Sequence, residues 1–379
     1  MELQDIRKEI DRENEGILKL FLERMENSGK VAEYKKSHGL PVLNPERERE
    51  ILKKVQDESG DMELYAYQLF RTIMELSRAY QNRILETGSE ETEKIKASVL
   101  PGDSLFPKTG TIAVIGTEGS FSEQAAKRMF PRGSTMFLKS FSGVFDAVES
   151  GLCDYGIVPV ENSSYGSVRE VYKLFQERDL TIMRSIKVNV HHELLAKPGT
   201  ALKDIKEVIS HDQALGQCEE FLKTLPGVKL TKVANTATAA KMVAESERKD
   251  VASISSHQAG IVNGLKSIET DIMDSANNYT RFVCISRKPA IYPGSNRISL
   301  ILQIAHEPGA LYNVLSEISA LGLNLVKLES VPIVGHDFEF IFYVDIEGSV
   351  LDPGVPELLA TLQSTCDYFK FLGNYPVIG

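Results

Sequence analysis

Arg7, Arg24, Lys35, Arg47, Ser77 and Gln81 are the polar residues that stand out in the amino-terminal part of this 379-residue chain. For any one basic residue on a helix, a solvated face is the default. Arg24 departs from it by falling on the same helical stripe as Phe21 and Val31, and Ser77 and Gln81 lie one turn apart, so both can face one ligand. Half of "ERERE" (46–50) must be surface. Further along, "GTEGSFSEQAA" (116–126) and "VPVENSSYGSVRE" (158–170) place Ser120 before Glu123 and Ser167 before Glu170 at capping-box spacing. Helix N-termini offer free N–H groups and partial positive charge, which suits an anion; ordinary strand-to-helix turns are the alternative. "NYTRF" (278–282) sets Thr280 and Arg281 at the mouth of the apolar run "VCIS". In a regular strand the two point to opposite faces, so Arg281 either lines a cleft at the strand's frayed end or makes a structural ion pair. His211 reads as a hydrogen-bonded structural histidine, with a general base as the alternative. His191 and His192 read as strand residues, having no carboxylate or cysteine at ligand spacing.

A formal net charge of −10 argues against nucleic acid as partner. An anionic substrate must be held by local basic groups acting against the overall field. The four cysteines, Cys153, Cys218, Cys284 and Cys366, form no CxxC pair, so no zinc or redox motif is indicated and the reading calls for no metal and no cofactor. No apolar run approaches the roughly 20 residues of a membrane span. The charged start "MELQDIRKEIDRENEG" lacks the apolar core of a signal peptide, and a cytoplasmic location is expected.

The length implies two or three domains. Residues 3 to about 37 lack proline and repeat apolar residues at three- and four-residue spacing, which predicts one long helix. Pro41 and Pro45 break it, and the pattern resumes over 46–58 and 62–86. From Thr111, short β-rich runs alternate with helical stretches, which reads as α/β with largely parallel strands. The polar stretch before them reads as a linker. Beyond "KPAIYPGSN" the order is β-α-β-β-α-β, the ferredoxin-like arrangement. The chain is thus divided into an all-α unit (1–92), a linker (93–110), an α/β unit (111–288) and an α+β unit (296–376).

"IRKEID", "ERMENSGKVAEYKK", "PERERE" and "MELSRAYQ" occur in an order and spacing that resembles the helical chorismate mutases, specifically the mutase part of the bifunctional chorismate mutase–prephenate dehydratases. The resemblance implies that Arg7, Arg24 and Arg47 bind substrate carboxylates, that Lys35 and Gln81 meet the ether oxygen as catalytic donors, and that Glu48 and Ser77 are further polar contacts. Asn44 stands where the family often has Asp, at the substrate hydroxyl. Arg7 and Arg24 are 17 positions apart on one helix, roughly 25 Å. If both touch one small ligand, one comes from a second chain, so an intertwined homodimer or higher oligomer is expected.

The two capping stretches, with "SHDQALGQC" (210–218), "NTATAA" (235–240) and "NYTRF", resemble prephenate dehydratase across residues 111–286. That family's fold is similar to a type II periplasmic binding protein, two α/β lobes around a cleft. The resemblance implies a cleft lined by Asn162, Ser163, Ser164, Gln213, Gln217 and Thr236, with Thr280 as catalytic residue and Arg281 beside it. "PGALYNVL" (308–315) and "NLVKLESVPI" (324–333) resemble the ACT domain attached to prephenate dehydratases, which binds phenylalanine at a dimer interface. Gly309, Ala310, Leu311, Asn324, Leu325, Glu329 and Ser330 would form that site, and Val331 stands where the family usually shows Arg.

These resemblances imply a bifunctional enzyme of the phenylalanine branch, chorismate to prephenate to phenylpyruvate, regulated by phenylalanine. Two other readings stay open: a non-catalytic amino-acid sensor, and a dehydratase whose helices serve only dimerisation.

Overall fold

The computed structural model describes residues 3–85, 90–275, 277–306, 309–332 and 340–378. Its amino-terminal unit comprises α1 (Leu3–His38), α2 (Pro45–Glu58) and α3 (Glu63–Leu85), followed by a short α4 (Glu90–Ala97). Helix α2 starts where the sequence stops α1: the Asn44 side chain accepts the Arg47 N–H at 3.1 Å and Pro45 occupies the first helical position, where a missing N–H costs nothing. Both α1 and α2 pack on α3. Yet the residues buried along the 36 of α1 are Ser28 and Ala32, while Leu3, Ile10, Ile17, Leu18, Leu20 and Leu22 lie exposed, Leu20 at 67%. A single chain leaves this apolar face uncovered.

Two α/β lobes follow. The first contains β1 (Thr111–Ile115), α5 (Phe121–Met129), β2 (Ser134–Leu138), α6 (Phe141–Glu149), β3 (Tyr155–Asn162), β4 (Gly166–Ser167), α7 (Arg169–Glu177) and β5 (Thr181–Asn189). The second holds β6 (Glu193–Ala196), β7 (Glu207–Ser210), α8 (Asp212–Gly216), α9 (Glu219–Lys223), β8 (Lys229–Lys232), α10 (Thr236–Glu245), β9 (Val251–Ser255), α11 (His257–Val262) and β10 (Lys266–Glu269). Strand β11 (Tyr279–Ser286) then returns to the first lobe and inserts between β5 and β3.

Here the expectation of largely parallel strands is corrected. Strand β11 runs antiparallel to both β3 and β5, and β6 runs antiparallel to β9 and β10. The cause is the path of the chain: β3 ends at the cleft, and β11 enters the same sheet from the other lobe across that cleft. The chain passes from β10 of the second lobe straight into β11, with no helix in that last step to carry it back for a parallel entry.

The last unit is β12 (Arg297–Gln303), α12 (Ala310–Ala320), β13 (Asn324–Pro332), β14 (Phe340–Glu347), α13 (Val355–Thr365) and β15 (Tyr368–Tyr375), with a terminal β16 (Val377–Ile378). Its sheet order, β13-β14-β12-β15, is the ferredoxin-like one. This unit is fused to the first lobe. Val158, Phe175, Ile182 and Val283 share one buried cluster with Ile301, Tyr343, Leu372 and Tyr375, and β16 extends the first lobe's sheet by pairing with β5. Gly373, at φ +149°, lets β15 approach β5 so closely that a Cβ there would overlap the Ile182 carbonyl oxygen.

Two further expectations change. Residues 93–110 do not form a free linker: α4 runs through 97, Ile95 is buried in the C-terminal core, Val99 bridges to Ile291, and Phe106 enters the first lobe's core beneath the Arg184 guanidinium, 3.7 Å above its ring. A few apolar residues within a polar stretch are enough to pin it. The second capping box is also absent. Ser120 caps α5 as expected, but Val168 stands at the capping position before α7 and no side chain caps that helix, because the Ser167 hydroxyl bonds to Glu329 and Lys327 of the last unit.

Replacing Gly373 by Ala should lower the unfolding free energy by about 2–3 kcal/mol through backbone strain and overpacking. Calorimetric unfolding checks this, and an unchanged midpoint would show that the two sheets can separate at no cost.

Candidate active sites

On the helical unit, Arg24 Nη1 donates to Ser77 Oγ and, at 3.4 Å, to the Ile73 carbonyl. Lys35 Nζ lies 3.2 Å from Gln81 Oε1 and 2.5 Å from the Val42 carbonyl. Burial lowers the pKa of both Arg24 and Lys35, and the nearby Glu48 carboxylate opposes that shift in each case. Glu48 is itself gripped by Arg78, at 2.5 and 2.6 Å. So Arg24, Lys35, Glu48, Ser77 and Gln81 do converge, from three helices. Three other expected residues do not join them. Arg7 lies exposed roughly 25 Å along α1, Arg47 is exposed and paired with Glu50 at 2.8 Å, and the Asn44 side chain caps α2. Arg78 is a member the sequence pattern does not single out, although its i,i+3 spacing to Gln81 would have put the two on one face.

The second site is a cleft of about 570 Å³ between the lobes. Asn162, Gln213, Gln217, Thr236 and Thr280 line it as expected, together with Ser120, Lys139, His192 and His211. Helices α5, α6 and α10 all begin at this cleft, with their first turns organised by Ser120, Ser140 and Asn235. Their N-terminal dipoles, with Lys139, make a local positive field inside an acidic protein. Thr280 Oγ1 accepts a hydrogen bond from Asn162 Nδ2 at 2.9 Å. The Asn162 amide is oriented from behind, since its Oδ1 accepts the N–H groups of Ser164 and Tyr165 at 3.0 and 3.1 Å. With its oxygen already an acceptor, Thr280 keeps its own O–H proton to donate.

Ser163 and Ser164 lie off the cleft. The Asn162 turn aims Ser163 Oγ at the Asn277 carbonyl and the Tyr279 N–H, both 3.1 Å away, and turns Ser164 toward a neighbouring cavity of about 340 Å³. His211 takes the structural alternative: its Nδ1 caps α8 by accepting the Gln213 N–H at 3.3 Å. His192 is corrected from strand residue to cleft wall. Nothing local distinguishes it from His191, which sits exposed beside Asp271 at 3.2 Å. The chain's crossing into the second lobe buries one ring and leaves the other outside. His192 Nε2 is 3.0 Å from Gln217 Oε1, and burial, opposed by that contact, pushes its pKa down to about 4.

Arg281 is settled as an ion pair. It is 5% exposed, points away from the cleft, and lies 2.7 Å from Asp345 Oδ2, 3.3 Å from Glu161 Oε2 and 3.4 Å from the Tyr375 hydroxyl. In the last unit, Gly309 opens α12 at φ +87°, with Ala310 and Leu311 in its first turn. Asn324 donates to Glu347 at 2.8 Å, Leu325 is half-buried and Ser330 exposed. Glu329 faces Ser167, and Val331 packs against the core shared with the first lobe. Pro308 and Ile333 of the two stretches quoted for this unit lie outside the described residues.

Fold and sites together define a multidomain enzyme with separate helical and two-lobed catalytic units. The family model described as chorismate mutase type II matches residues 6–82, and the one described as prephenate dehydratase matches residues 112–290. The bifunctional chorismate mutase/prephenate dehydratase of Aquifex aeolicus is 32% identical over 377 residues, covering 99% of this chain and 98% of that protein. Among solved structures, the prephenate dehydratase of Arthrobacter aurescens in complex with L-Phe is 28% identical at a TM-score of 0.65, over 70% of this chain and 89% of that one. GqqA, described as a novel type of quorum quenching acylase, is 30% identical at a TM-score of 0.65, over 71% of this chain and 98% of that one. The chain belongs to the family of bifunctional chorismate mutase/prephenate dehydratases, and its catalytic domains are a chorismate mutase and a prephenate dehydratase. Among the described residues no helix is long and apolar enough to cross a membrane.

The neutral, buried His192 makes stability pH-dependent. The unfolded chain takes up this proton near pH 6.5 and the folded one only near pH 4, so the contribution is complete above about pH 6.5 and is lost as pH falls toward 4. Denaturant unfolding should show a loss of about 2 kcal/mol between pH 7 and pH 5 that His192→Gln abolishes. Equal losses in both proteins would locate that titration elsewhere.

Proposed function

We propose that the helical unit rearranges chorismate to prephenate and that the interlobe cleft converts prephenate to phenylpyruvate. The observation that carries the reading is the Thr280 hydroxyl, held as a proton donor by Asn162 in a cleft built to attract anions.

The mutase step is a pericyclic rearrangement that needs a compact substrate conformer and donors at the ether oxygen, which gains negative charge as its bond breaks. Lys35 and Gln81 supply the donors, and Arg24 grips a carboxylate through its planar fork. Arg7 completes the set from a second copy of the chain, across the uncovered apolar face of α1, and Arg47 joins it from the start of α2, next to Glu48. In the cleft, the bond from the ring to its carboxylate breaks to release CO2, and its electrons flow into the ring as the C4–OH bond breaks. Thr280 delivers a proton to the departing hydroxyl, so that water leaves and the ring becomes aromatic. Gln213, Gln217, Thr236, Lys139 and the helix N-termini hold the two carboxylates. The proposed domain limits are 1–92, 111–288 and 296–376.

The last unit is an ACT domain that binds phenylalanine, with residues around Gly309 and Asn324 as its site. Its β-α-β-β-α-β order and the L-Phe complex of the Arthrobacter dehydratase support this. A homodimer in the cytoplasm is part of the same reading, supported by the open face of α1 and by four cysteines present as free thiols.

Thr280→Val should lower dehydratase kcat by about 100-fold or more and leave mutase activity intact. Equal dehydratase rates would remove Thr280 from the chemistry. Arg7→Ala and Arg24→Ala should each abolish mutase turnover, while refolding the two variants together should restore part of it. No recovery in the mixture would mean that each site is built from one chain.

A further inference from the structure

We propose that Arg281 is a positioning residue through which Asp345 of the C-terminal unit sets the geometry of Thr280, so that dehydratase turnover depends on how that unit is seated. The inference rests on the reading of Thr280 as proton donor and adds the residues that hold it in place.

Strands β3 and β11 pair Thr280 with Asn162 and Arg281 with Glu161. On one face Asn162 and Thr280 meet in the cleft; on the other, Arg281 meets both Glu161 and Asp345. The register between the two strands shifts immediately after Arg281. An interrupted ladder does not by itself fix where a side chain aims, so the anchors behind this pair matter.

Those anchors belong to the C-terminal unit. Asp345, 3% exposed, accepts from Arg281 at 2.7 Å and from Ser299 Oγ at 2.5 Å, and the Ser299 hydroxyl meets Tyr375 at 2.6 Å. A second tie runs parallel to the first. Glu329 and Lys327 of β13 hold Ser167, whose register partner on β3 is Glu161, the residue next to Asn162. Both partners of the catalytic hydrogen bond are therefore braced from behind by one sheet, on either side of a buried core that the two units share. Burial alone would lower the pKa of Arg281, but Asp345, Tyr375, Tyr172 and Glu161 together outweigh it and the guanidinium stays charged. A pair this deep contributes little net stability compared with apolar side chains of the same volume, whereas its fork geometry fixes position to fractions of an ångström.

The test replaces the ion pair by an apolar one, Arg281→Met with Asp345→Leu, in the full chain. The expected protein unfolds at or above the wild-type temperature, keeps its prephenate KM, and loses about 10- to 100-fold in dehydratase kcat. In a Thr280→Val background the same double change should have no further effect on kcat. Arg281→Lys, which keeps the charge and loses the fork, should fall between wild type and the double variant, and it carries the test if the apolar pair does not fold. A kcat within about twofold of wild type in a folded variant, or a loss that multiplies with that of Thr280→Val, would overturn the proposal. If Thr280→Val alone keeps the wild-type rate, the proton-donor reading fails instead, and the two failures are told apart by that single measurement.

Discussion

A strand buried on both faces admits a polar side chain only where a partner is already waiting, because an unpaired donor or charge in the interior costs several kcal/mol. Strand β11 is such a strand: every residue from Thr280 to Ser286 is buried. Its two polar neighbours, Thr280 and Arg281, must each find a partner on opposite sides of one sheet. Asn162 meets the first and Asp345 the second. The cleft, the returning strand and the docked C-terminal sheet follow from satisfying that requirement at one dipeptide.

The second organising feature is local charge held against the global one. With a net charge of −10, the protein repels small anions at long range. Within the helical unit, Glu48 and Arg78 balance a cluster in which Arg24 and Lys35 are partly desolvated, so the cations remain charged and carry few waters to displace. In the cleft the same end is reached with helix N-termini, which are dipoles fixed by the backbone and need no titratable group. The uncovered apolar stripe of α1 belongs to the same economy of design, since a helix too long for its own unit can reach a neighbouring one.

Much was legible beforehand because its causes are local. Helical periodicity and two prolines bounded α1, α2 and α3, and Ser120 caps α5 by a rule that acts over three residues. Ser77 and Gln81 could be put on one helix face because helical stripes are periodic, whereas the meetings of Lys35 with Gln81 and of Arg24 with Ser77 join different helices. The misses have one cause. Ser167 carries the capping spacing but is drawn away by Glu329, a residue 162 positions further on. His192 differs from His191 only in which side of a lobe crossing it occupies.

By itself the sequence determined most of the element types and offered the side chains whose chemistry could bind anions or move a proton, since propensity, periodicity and side-chain chemistry act at short range. Only the tertiary structure decided the direction of β11, the partner of Arg281 and the fusion of the C-terminal sheet to the first lobe. Those outcomes depend on which distant segments compete for the same buried space, and no spacing along the chain records the result of that competition.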